Sequence, residues 1–142
     1  MDNISEHVTY KEAIRSNNAS RAGIDNIPSD KVLAVMRVTA NKLFEPLRKW
    51  VGKPIYISSF FRTKVVNKLA GSKTDKSQHI LGEAMDIDMD VFGGRTNYQA
   101  FCWLRDNVEF DQLFWEGGEN GWIHISYREG KNRKMVGEIP KP

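Results

Sequence analysis

Three histidines occur in this 142-residue chain, and two of them stand in company that can bind a metal. His79 lies in Ser77-Gln78-His79-Ile80-Leu81-Gly82-Glu83-Ala84-Met85-Asp86, and His124 in Trp122-Ile123-His124-Ile125-Ser126-Tyr127. A catalytic zinc ion takes three protein ligands of nitrogen and oxygen type and leaves a fourth position for water. His79, Asp86 and His124 would supply two imidazoles and one carboxylate. A histidine and an aspartate seven positions apart are common, so spacing alone is weak, and a hydrogen-bonded structural histidine is the plainer alternative for each ring. The surroundings add to the metal reading. Gly82 and Ala84 are small, which lets a loop approach a metal closely before it enters a strand. His7, near the start, reads as a surface or capping residue.

The second histidine brings a candidate base with it. Gln112–Glu116 and Trp122–Tyr127 read as strands, and the five residues between them include three glycines, which is hairpin chemistry. That register sets Glu116 opposite Trp122 and diagonal to His124, on the face shared by Trp122, His124 and Ser126. Diagonal Cβ separations are roughly 7–8 Å or somewhat less, so Glu116 can reach a water on the metal, the first requirement of a general base. Glu119, in the loop, is the second candidate, and a solvated turn residue is its plainer reading. Trp122 is either a core aromatic or the wall of a cleft.

These residues need elements to hold them. Thr9-x-x-Glu12 is a capping box for a short helix over about 10–15. Residues 16–27 are rich in Ser, Asn and Gly and read as a loop with at most a turn of helix. Ser29 caps a long helix from Asp30, with a kink or break expected near Phe44 because Pro46 falls inside it, and a stop at Gly52. Pro54–Ser59 reads as a strand, Thr63–Leu69 as a short helix, 72–78 as a loop, Ala84–Asp88 as a strand by its period of two, and Asn97–Asn107 as a helix. Helices first and antiparallel strand signals later give an α+β fold with a central antiparallel sheet and flanking helices.

Composition bounds the rest. The length suits one domain, here divided into a helical leading part (1–52), a metal-site core (53–130) and a basic tail (131–142). With 40% hydrophobic and 27% charged residues the chain is ordinary for a globular protein. No apolar run approaches the ~20 residues of a membrane span, and the N-terminus lacks the basic and apolar regions of a secretory signal, so for a target outside the cytoplasm either another device delivers the protein or this chain lacks its leader. The single cysteine, Cys102, excludes an intramolecular disulfide and reads as a small buried hydrophobe. The net charge of +3 is mild. The cluster Arg128, Lys131, Arg133 and Lys134 reads as a solvated tail; nucleic acid is not an expected partner, whereas an anionic polymer such as a cell wall suits the same charge.

Taken together, these motifs resemble the zinc D-Ala-D-Ala carboxypeptidase and L-Ala-D-Glu endopeptidase family of peptidoglycan peptidases. The family pattern Ser-x-His-x-x-Gly-x-Ala-x-Asp is met from Ser77 to Asp86 without a mismatch. The upstream element, a strand then Ser-x-aromatic-Arg and a helix with Asn, is met by Ser59-Phe60-Phe61-Arg62 and Asn67. The later strands correspond to Phe110–Glu116 and Trp122–Tyr127. The resemblance covers nearly the whole chain and implies a Hedgehog/DD-peptidase-like fold. It also implies one zinc ion on His79, Asp86 and His124, and stem peptides of peptidoglycan as substrate; a monomer is the separate expectation for the chain. Arg62 would bind a substrate carboxylate or carbonyl and stabilise the oxyanion; Ser77 would support the site by hydrogen bonds. Several family branches place an acid or a second histidine two or three residues before the last ligand. Here Trp122 and Gly121 stand there, and neither moves a proton, so the base falls to Glu116. The rival from another class is a non-catalytic module that holds a cell-wall peptide or a metal.

Overall fold

The computed structural model describes residues 2–139, with the side chain of Glu119 outside that description. Capping determines where the early helices begin. Thr9 accepts from the Glu12 backbone while the Glu12 side chain accepts from Thr9, so α1 runs Tyr10–Ile14. Ser16 caps a second short helix, α2 (Asn17–Ala22), where the sequence reads mainly as loop. Its hydrophilic residues hide the signal, and the cap, with left-handed Gly23 at the far end, supplies it. Ser29 caps α3 (Asp30–Thr39). The kink expected near Phe44 is a π-helical turn, Ala40–Phe44, where the Glu45 N–H reaches back to the Ala40 carbonyl. Pro46 then sits in the first turn of α4 (Glu45–Val51), where a missing N–H costs little. Gly52, at φ 73°, ends that helix.

The rest of the chain builds one sheet. Its strands are β1 (Tyr56–Ser59), β2 (Ala84–Asp88), β3 (Gln112–Glu116), β4 (Trp122–Ser126) and β5 (Met135–Ile139), in the spatial order β1-β2-β4-β3-β5. Helices α5 (Lys64–Leu69) and α6 (Asn97–Asn107) fall in the connections. Four strands pair antiparallel, as expected. The fifth corrects the reading of 131–142 as tail: Met135–Ile139 pairs parallel with β3, so the sheet is mixed. Its sequence has no clean alternation, because the edge strand is exposed along most of its length. Residues 140–142 lie outside the described residues.

Beside the ladder to β3, a long-range ion pair anchors the start of β5. Arg133 Nε and Nη2 both lie 2.8 Å from the Asp111 carboxylate, and the Arg133 backbone N–H donates to it at 3.0 Å. Arg133 is therefore a clamp and not part of a solvated tail. Those hydrogen bonds, with a further one from Gln78 and against the effect of burial, hold the Asp111 carboxyl at about 2.

One sheet face is the core. Ile57, Met85, Ile87, Leu113, Ile123 and Ile125 are buried there with Leu33, Met36, Leu43 and Leu47 of the helical layer. Trp50 of α4 stacks on Trp103 of α6 at 5.2 Å between ring centroids. Cys102 is only half-buried on α6, less enclosed than the sequence suggests. The opposite face carries the polar residues, because period-two alternation sends Asp86, His124 and Glu116 the other way. Among the described residues no helix is long and apolar enough to cross a membrane.

Candidate metal centre

The polar face is organised as a row across the sheet. Ser59 pairs with Asp86, Asp86 with His124, and His124 with Phe114. A bulge in β1 after Ile57 skips one residue and brings Ser59 into register with Asp86. Phe114 stacks on the His124 ring at 5.9 Å and 17°. Gly82, at φ 76°, turns the chain between His79 and β2; a Cβ there would lie 2.7 Å from the Met36 side chain and 3.1 Å from the Val32 carbonyl. Its own carbonyl accepts from the Thr39 hydroxyl at 2.9 Å, so the turn is anchored on α3.

His79 and His124 converge on the two oxygens of one carboxylate. His79 Nε2 lies 3.3 Å from Asp86 Oδ2, and His124 Nδ1 lies 2.9 Å from Asp86 Oδ1. One ligand-type atom from each of the three side chains falls within 4.8 Å of the others. Burial would push the Asp86 carboxyl up; without a metal, a protonated His79 ring, by its charge and hydrogen bond, together with His124 outweighs burial and holds it well below the ordinary carboxylate range.

The far side of the His79 ring tests whether this set suits a metal. His79 Nδ1 is 2.7 Å from the Phe60 carbonyl, and a carbonyl only accepts, so Nδ1 carries the proton. In the neutral ring Nε2 then presents a lone pair to a carboxylate oxygen, acceptor against acceptor, inside a buried site. A divalent cation between them resolves that conflict. A histidine whose second nitrogen is tied to a backbone carbonyl is also the usual arrangement behind a metal. The donor set of two imidazoles and one carboxylate suits zinc.

Around this centre the other expected residues fall as follows. Arg62 reaches it from the segment after β1: Nη2 is 3.3 Å from Asp86 Oδ2, Nε donates to Ser59 Oγ at 2.9 Å, and Nη1 to Asn67 Oδ1 at 3.4 Å. Glu116 stands opposite Trp122, two residues along β3 from the Phe114–His124 pair and so on the same face, as the hairpin reading requires. Burial and the Asp86 carboxylate raise the Glu116 carboxyl above its ordinary value, against His124 and a hydrogen bond from Trp122. Gly121 makes that hairpin possible, since a Cβ there would lie 1.7 Å from the Glu116 carbonyl. Ser77 Oγ accepts from the His79 backbone N–H at 3.2 Å, which is support and not contact with the ligand atoms. Trp122 is exposed, opposite Glu116 on the same sheet face as His124. Glu119 lies in a 3₁₀ turn, Gly118–Asn120, and its side chain is outside the described residues. His7 is remote from the centre and bonds Glu45 at 2.6 Å.

Two buried asparagines support the site from behind. Asn67 is buried, and besides receiving Arg62 it donates to the Thr74 carbonyl at 3.0 Å, tying α5 to the loop before Ser77. Asn26, also buried, donates to the carbonyls of Ile14 and Phe61 and accepts from the Thr63 N–H, pinning both ends of the Arg62 segment. Asn67 was visible as a motif residue, whereas Asn26 sat in a stretch with no periodicity. A cavity of about 610 Å³ between α1, α2 and the following loop lies away from the metal centre. A smaller cleft of about 340 Å³ opens directly beside His124.

The profile of the Peptidase M15 family matches residues 6–126, a span that includes every side chain of this centre. No curated protein matches the chain. A match over most of its length, ending two residues past the last histidine, places the chain in the Peptidase M15 family of zinc D-Ala-D-Ala carboxypeptidase-like metallopeptidases.

Proposed function

We propose that the protein is a zinc peptidase that hydrolyses peptide bonds involving D-amino acids in the stem peptides of peptidoglycan. The observation that carries this reading is the convergence of His79 Nε2 and His124 Nδ1 on Asp86, with Glu116 two residue pairs along on the same face. His79, Asp86 and His124 hold the ion in this reading. Bound zinc lowers the pKa of its water to ~7 and polarises the scissile carbonyl.

The chain's own groups do the rest. Glu116 takes the proton of the attacking water and returns it to the leaving amine. Its raised pKa suits both directions of transfer, because a base that holds a proton too weakly makes a poor acid afterwards. Arg62 faces the same carboxylate as the two rings and can hold charge developing on the carbonyl oxygen. Ser77 and the Phe60 carbonyl fix the position and tautomer of His79.

Metal analysis combined with mass spectrometry of digested peptidoglycan tests the reading. The expected result is one zinc per chain and release of peptides cut at a D-residue. Glu116→Gln should keep its zinc and lose about 10²-fold or more of the turnover. A wild-type protein that holds zinc but leaves every wall peptide intact would be a binding module instead.

A further inference from the structure

The cleft beside His124 is lined mainly by polar and basic side chains, among them Lys76, Gln78, Gln112, Arg128 and Arg133. Strand direction places it. Trp122 and Glu116 lie on the hairpin side of His124, whereas Gln112 lies beside Ser126 on the other side, where its backbone N–H donates to Ser126 Oγ at 3.0 Å. The chain then continues to Arg128. The cleft therefore extends from the metal centre on the side away from Glu116.

Two carboxylates partly balance its charge. Asp111 takes Nε and Nη2 of Arg133, and Glu83 lies 3.3 Å from Nε of Arg128. Those bonds hold the guanidinium groups in place and leave donors over. Arg133 Nη1, and Nη1 and Nη2 of Arg128, have no hydrogen-bond partner among the described residues. Lys76 adds a third cation without a bonded carboxylate among those residues. Arg62 differs, because each of its three side-chain nitrogens already has a partner.

We infer that this cleft is a carboxylate subsite: it receives a free carboxylate carried by the substrate next to the cleaved bond, with Arg128 as the principal contact. This rests on the peptidase reading and deepens it. The substrate is an acidic peptide anchored by its own charge, and Arg62 is left to the reacting carbonyl. Guanidinium donors suit a carboxylate because they stay charged and can bond two oxygens at once. A volume of about 340 Å³ accommodates a side chain or chain terminus.

The test uses pairs of stem peptides identical except that one free carboxylate is amidated in turn, given to zinc-loaded protein. KM is read where the peptide is cut, and calorimetric Kd where it is not. At one position, amidation should weaken the wild type about tenfold, the value of a lost charge-assisted contact. Arg128→Gln should weaken binding of the acid by a similar factor, leave the amide unchanged and retain its zinc, and Arg128→Lys should recover part of the preference. A wild type indifferent to every amidation overturns the inference, as does an Arg128→Gln protein weakened equally toward acid and amide. Discrimination in binding without any cleavage counts against the peptidase reading alone. Peptides that bind in neither form count against both.

Discussion

Asn67 stands behind Arg62, with its side-chain oxygen 3.4 Å from Arg62 Nη1 and its amide nitrogen on the Thr74 carbonyl at 3.0 Å. The arginine is thus aimed from the rear by a buried amide, which holds the loop leading to His79 with its other end. Asn67→Ala should lower kcat/KM about tenfold, because a flexible arginine no longer meets the carbonyl oxygen in place. Asn67→Asp keeps the acceptor and should lose less. Added to Arg62→Ala, the Asn67→Ala change should cost little more, since both act through one contact. Steady-state kinetics with zinc analysis of each variant check this, with metal content expected to stay at the wild-type level.

The Asp111–Arg133 clamp makes a prediction in pH. The Asp111 carboxyl is held at about 2, below its ordinary 3.8, by Arg133 first and Gln78 next. A folded value below the unfolded one means the contribution is complete above about pH 4 and is lost as pH falls through about 2. Its size is about 2 kcal/mol. Asp111→Asn should therefore be less stable than the wild type at neutral pH, and the gap should close in acid. Urea unfolding midpoints of both proteins between pH 6 and about 2 measure the difference, which cancels other groups that titrate in both.

Gly82 should tolerate no side chain. Alanine would sit at positive φ, with its Cβ 2.7 Å from Met36 Cγ and 3.1 Å from the Val32 carbonyl. The expected loss is about 2–4 kcal/mol from left-handed backbone and overpacking together. Because Gly82 joins His79 to Asp86, zinc affinity should fall in the same variant. Thermal melts with and without zinc separate the two effects.

Zinc itself should stabilise the fold. A ligand bound only by the native state, at a hundred times its Kd, adds about 2.7 kcal/mol, or roughly 10 °C in Tm for a chain of this size. A chelator should reverse the rise, and His79→Ala should show none. Differential scanning calorimetry at fixed protein concentration is the measurement.

How far the sequence carried these conclusions depends on the range of each interaction. The hairpin partnership of Glu116 with Trp122 was legible because a glycine loop sets the register and alternation does the rest. The first two ligand-type residues were legible as a motif, since a small-residue turn must separate them. The π-helical turn showed only as trouble near Pro46. The strand β5 and the bond from Arg133 to Asp111 were not legible, because an exposed edge carries no pattern and the pair is 22 positions apart. The tether of Arg62 by Asn67 and Ser59 likewise depends on where α5 packs, which no local propensity encodes.

The row Ser59–Asp86–His124–Phe114 has a consequence for how the molecule breathes. Asp86 and His124 sit on β2 and β4, two of the three strands with a hydrogen-bonded neighbour on each side, so their amides should exchange with solvent late, on opening of the sheet. Arg62 belongs to the segment beyond the sheet's outer strand, which is held by single bonds rather than a ladder: the Phe61 N–H to the Ala13 carbonyl at 3.1 Å, the Arg62 N–H to the His79 carbonyl at 3.2 Å, and Asn26. Deuterium should therefore enter the arm that carries the guanidinium long before it reaches the backbone beneath the ligand atoms. The geometry around the ion is thus guarded by a whole sheet, whereas the guanidinium is guarded by separate bonds that open one at a time.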